Sequence, residues 1–138
     1  MREPALAVLL QDAIDIWQAS AGRPLPLAVG GVCQGVGTAS GDGVSVVGWA
    51  RLDDGKAALA IVKANDGRVH EADIVIDLPE QPQTGWERCL LGLLVHELGH
   101  VVGLAHQDHG PSIMQPGSSC QEGLPSENDV AAIRFLYH

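Results

Sequence analysis

His96-Glu97-Leu98-Gly99-His100-Val101-Val102-Gly103-Leu104-Ala105-His106 has the form H-E-x-x-H-x-x-G-x-x-H, a spacing that calls for a helix ending abruptly. On an α-helix His96 and His100 lie about 40° apart around the axis, so both imidazoles leave one face and can reach one Zn²⁺ at about 2.0–2.1 Å. Glu97 follows about 100° further round, where its carboxylate can reach a metal-bound water without ligating the metal, the place of a general base. On a continuing helix His106 would lie about 15 Å beyond His96, out of reach of the same ion. Gly103 resolves this, because glycine enters left-handed conformations without a Cβ penalty and is the common residue just past a helix end. The helix is therefore expected to stop at Gly103, with Leu104-Ala105 bringing His106 round as the third ligand. Three histidines and an open position describe a catalytic zinc, since structural sites usually close with four protein ligands.

Working outward, Leu90, Leu91, Leu93, Leu94, Val95, Leu98, Val101 and Val102 spread around the whole helix cylinder. A helix apolar all round is buried, which makes two histidines and a glutamate costly there unless they serve a site. Thr84 and Glu87 have the spacing of a capping box at its start. Cys89, on nearly the face of His96, reads as a core thiol. Residues 4–20 form an amphipathic helix with Leu6, Leu9, Leu10, Ala13, Ile14 and Trp17 on one face, started by Pro4 and stopped by Gly22.

A strand is expected around 25–32, then a glycine-rich surface loop to Gly43 that lacks the Gly-Lys-Ser/Thr ending of a phosphate loop. Three further β-rich runs follow, 44–52, 57–63 and 69–78, punctuated by Asp53-Asp54-Gly55 and Asn65-Asp66-Gly67 and ended by Pro79 and Pro82. In the last run Ala72, Ile74 and Ile76 alternate with Asp73, Val75 and Asp77. Ser126 to Asp129 is a capping-box variant opening a final helix with Val130, Ile133, Leu136 and Tyr137 inward. Helix, strands and two more helices make an α+β chain.

At 138 residues the chain is expected to form one domain, with apolar residues at 46% giving it a core. A net charge of −9 argues against nucleic acid or an anionic membrane as partner. The apolar run Ala5 to Leu10 is too short and too soon acidic for a signal peptide, leaving a secreted mature form or a cytoplasmic protein. Cys33, Cys89 and Cys120 permit one disulfide in three pairings, or none.

The eleven-residue motif matches the zinc-binding consensus of the metzincins, whose downstream Met-turn is matched by Ser112-Ile113-Met114-Gln115-Pro116. The chain resembles a minimal, bacterial-type matrixin-like metallopeptidase. Val46-Val47-Gly48-Trp49, Ala58-Leu59-Ala60 and Glu71-Ala72-Asp73-Ile74-Val75 resemble runs that precede the zinc helix in those proteins. Ser126, Asp129 and Leu136-Tyr137 resemble their closing helix. In metzincins the residue after the third histidine tends to mark the subfamily, and Gln107 departs from the Ser or Thr of matrixins. His109 follows closely, but Gly103 fixes the ligand spacing at His106. His70 and His138 are expected at the surface.

The resemblance implies a twisted mixed sheet packed with the N-terminal and zinc-binding helices, residues 1–103 forming an upper subdomain and 104–138 a lower one. It implies one catalytic Zn²⁺ on His96, His100 and His106, Glu97 as general base, Gly103 as the structural stop and Met114 as an apolar floor beneath the imidazoles. Ca²⁺ at the acidic turns is conceivable, but turn chemistry alone accounts for those residues. The long loop that carries further metals in animal matrixins has no room between Ile76 and His96. The implied activity is endopeptidase hydrolysis by a zinc-activated water, on a peptide or protein substrate laid along the edge strand 57–63, by a monomer. The alternative is a latent or non-catalytic zinc-binding protein of the same fold.

Overall fold

The structure is a computed structural model and describes residues 3–30, 44–50, 52, 57–77, 86–108, 111–116 and 124–138. The expected loop 30–43 beyond Gly30, the cap at Thr84, the turn at 53–55, the prolines 79 and 82, His109, Cys33 and Cys120 lie outside the described residues. Three helices and a three-stranded mixed sheet make the α+β class. The chain forms two compact units, Met1–Val32 with Thr84–His138, and Cys33–Gln83.

The first unit is helical: α1 (Glu3–Ala21), α2 (Trp86–Val101) and α3 (Glu127–Leu136). The apolar face of α1 is buried through Leu6, Ala13, Ile14, Trp17 and Ala21. Trp17 is fully enclosed and its indole N–H donates to the Val95 carbonyl of α2 at 2.8 Å, which gives the buried ring's polar edge a partner. Gly22 closes α1 at φ 73°, its N–H returning to the Gln18 carbonyl. On α2 no described side chain is exposed, as a helix apolar all round requires.

The strand expected around 25–32 is absent from its described part, 25–30. Pro24 and Pro26 have no N–H, the Leu25 N–H is taken by the Gln18 side chain, and the Leu27 N–H bonds the Leu25 carbonyl at 2.7 Å. With the donors of residues 24–27 missing or spent locally, the start of this segment cannot enter a ladder.

The second unit holds β1 (Val47–Ala50), β2 (Ala58–Asn65) and β3 (Arg68–Asp77) in the order β1-β3-β2. β1 runs parallel to β3, and β2 runs antiparallel to it. The β2–β3 hairpin turns through Asp66 (φ 54°) and Gly67 (φ 77°), two left-handed residues matching the type I′ pattern that Asp-Gly favours. β3 is buried from Asp73 to Ile76, not on alternate residues. As the middle strand it is hydrogen-bonded along both edges, and Asp73 accepts the Val46 N–H at 3.0 Å while Asp77 accepts that of Leu52 at 2.8 Å. These acids bind backbone beside β1.

Candidate metal centre

α2 ends as its sequence requires. The Gly103 N–H bonds the His100 carbonyl at 3.1 Å and the Leu104 N–H bonds that of Gly99 at 2.8 Å, the two-bond Schellman closure. Gly103 itself stands at φ 108°, where an L side chain is strained. The chain reverses there, and His96, His100 and His106 come together. One ligand atom from each lies within 4.8 Å of the others, and the ring centroids are 4.7 to 5.3 Å apart.

Backbone carbonyls orient two of the rings. His96 Nδ1 donates to the Ile113 carbonyl at 2.7 Å and His100 Nδ1 to the Leu104 carbonyl at 2.9 Å. A carbonyl can only accept, so Nδ1 carries the proton and Nε2 keeps its lone pair for a ligand role. Burial pushes the His96 pKa below the usual imidazole value, against the pull of the Ile113 bond; the neighbouring His100 and His106 lower it further, and the Asp129 charge raises it. His100 is lowered for the same first reason, with Leu104 opposing and His106 adding. Both rings are thereby biased towards the neutral form a metal needs. His106 is exposed. Two half-buried imidazoles and one exposed one, with lone pairs free to converge, fit a zinc ion, which takes imidazole nitrogen at about 2.0–2.1 Å.

Glu97, next to His96 on α2, is buried at 6% exposure. Met114 is fully buried in a turn, and its packing explains an unassigned position inside the motif. A Cβ at Gly99 would overlap Met114 Sδ and stand 2.9 Å from its Cε and 3.2 Å from Trp17 Cζ2. Only glycine lets that turn and Trp17 meet α2 so closely.

Several sequence expectations need amendment. Cys89 is disulfide-bonded and so is not a core thiol; a disulfide partner leaves no trace in local spacing. Leu136 is exposed at 45%, while Asp129 and Ile133 form the buried part of α3. His70 and His138 are exposed as expected. What sequence reading missed is the role of Asp129. Beyond its capping box with Ser126, its carboxylate accepts from Ser112 Oγ at 2.5 Å and the Ile113 N–H at 2.9 Å. An acid at the capping position that is too short to reach far was the one available signal.

No curated protein matches the chain. The family model for matrixin, the M10 peptidases, matches residues 38–138, a span that includes the three histidines, Glu97, the turn at Met114 and α3. With most of its length matched, and despite Gln107 after the third histidine, the chain belongs to the matrixin family of metallopeptidases.

Proposed function

We propose that the protein is a zinc-dependent endopeptidase, with His96, His100 and His106 holding the ion and Glu97 as general base. The observation carrying this reading is the convergence of three imidazoles, two with Nδ1 committed to carbonyls, with Glu97 next to His96 on α2. Zinc held there would supply Lewis acidity to water and to the scissile carbonyl. Glu97 accepts the proton of the attacking water and passes it to the leaving amine as the C–N bond breaks. His96 and His100, neutral and held at Nδ1, keep their orientation through the cycle. In this reading Met114 marks the family's Met-turn, and the whole chain is one catalytic domain whose subdomains meet at Gly103.

The partner we propose is a peptide or protein substrate, pairing its backbone with the free edge of β2, which among the described residues bonds only to β3. The disulfide at Cys89 favours an oxidising compartment, so of the two sites of action we propose the secreted one. The test is cleavage of a mixed peptide library by the zinc-loaded protein beside its Glu97→Ala variant, read by mass spectrometry. Cuts are expected from the parent, with turnover lowered by about 10²–10⁴-fold in the variant while zinc still binds one to one. Cuts of equal rate from both would refute the role of Glu97. No cuts from either, with zinc bound, would leave a latent or non-catalytic zinc protein.

A further inference from the structure

We propose that Asp129, on α3, is the positioning residue of the three-histidine site, holding two of its ligand segments in register through the turn at Ile113 and Met114. Asp129 is 1% exposed, and each oxygen of its carboxylate begins a separate chain of hydrogen bonds. Through one, the Ile113 N–H donates to Oδ2 at 2.9 Å, and the carbonyl of the same residue accepts His96 Nδ1 at 2.7 Å. Through the other, Ser112 Oγ donates to Oδ1 at 2.5 Å and accepts the Met114 N–H at 2.9 Å. The Met114 carbonyl then accepts the N–H of Gln107, the residue after His106, at 3.0 Å. One buried anion thus reaches the ring of the first histidine and the backbone beside the third, two segments that α2 and its glycine stop cannot hold together alone.

The charge has its own part. Ser112 Oγ, donating to the carboxylate, becomes a stronger acceptor for the Met114 N–H, and because that N–H and the Ile113 carbonyl form one peptide group, the carbonyl becomes a stronger acceptor for His96 Nδ1. That makes Nε2 a better donor to a metal, as outer partners of ligating histidines do. His100, held by Leu104, stands outside both chains. The inference rests on the zinc reading above.

The test is Asp129→Asn, measured as zinc affinity by chelator competition and as the visible spectrum of the Co²⁺-loaded protein. The asparagine oxygen can stand where Oδ2 does, and its amide can donate to the Ser112 hydroxyl, so shape is kept and charge is removed. Zinc affinity is expected to fall about 10–100-fold, with altered Co²⁺ bands. Arg134→Ala is the control: it removes the 2.9 Å bond from α3 to the Ser20 carbonyl but touches neither chain nor the carboxylate, so it should lose stability with zinc affinity and spectrum unchanged. Asp129→Asn binding zinc within about twofold of the parent, with an unchanged spectrum, overturns the inference.

If that variant does not fold, the parent protein decides by amide NMR. The Ser126 N–H donates to the same Oδ2 as that of Ile113, so both resonances should move in proportion to zinc added. A Ser126 resonance unmoved at full zinc occupancy overturns the inference. A parent that takes up no zinc removes the underlying reading instead, and this inference with it.

Discussion

Gly99→Ala sets two effects against each other, and their sizes decide the sign. In a helix interior the change should stabilise by about 1 kcal/mol, because glycine loses more backbone freedom on folding. Here the new Cβ would overlap Met114 Sδ and crowd Trp17 Cζ2 at 3.2 Å, and both side chains are at 0% exposure with nowhere to retreat. Overpacking of this kind costs about 1–3 kcal/mol. Trp17 cannot yield without stretching its 2.8 Å bond to the Val95 carbonyl, which adds about 1 kcal/mol. The net expectation is a loss of about 1–3 kcal/mol, or about 3–10 °C in Tm for a chain of this size. The assay is thermal and urea unfolding of the metal-free protein, so that zinc linkage does not enter. Placed on Met114→Ala, which alone costs about 2–5 kcal/mol, the same methyl would fill emptied space, and its effect should become neutral or stabilising by up to about 1 kcal/mol. A Tm that rises in Gly99→Ala with Met114 intact would refute the reasoning, since propensity alone would then govern the site.

Other outcomes follow from the same contacts. Gly103→Ala forces an L residue to φ 108° and should cost about 1–2 kcal/mol with weakened zinc uptake, read by unfolding and metal titration. Tyr137→Phe removes the 2.9 Å hydroxyl bond to the Val102 carbonyl beside that stop and should cost about 1 kcal/mol in urea unfolding. His96 and His100 have folded pKa values lowered by burial, so between those values and the unfolded 6.5 the unfolded chain binds more protons. Their contribution to metal-free stability is therefore complete above pH 6.5 and is lost as pH falls through the folded values; a midpoint that rises on acidification across that window would contradict it. Reduction of the disulfide at Cys89 should lower stability by about 2–4 kcal/mol in the same unfolding assay.

What could be read from the chain was whatever its own neighbours enforce. The histidine spacing needs a helix, the third histidine needs that helix to stop, and Gly103 can stop it; each step is local, and the Schellman closure realises it. The Asp66-Gly67 turn and the Ser126 cap are local in the same way. The segment after Pro24 misled because apolar residues there suggested a strand, while hydrogen-bond supply decided against one. The packing at Gly99 and the reach of Asp129 beyond its cap could not be read locally, since their partners Met114, Trp17, Ser112 and Ile113 belong to other segments of the chain. Yet these two make the motif's spacing usable. The motif supplies three imidazoles, but a turn must press against α2 to orient the first of them. That approach needs an absent side chain at Gly99 and an anion at Asp129 to hold the turn in place. A chain carrying the eleven-residue pattern with a larger residue at the first position, or a neutral one at the second, would keep the ligands and lose their alignment.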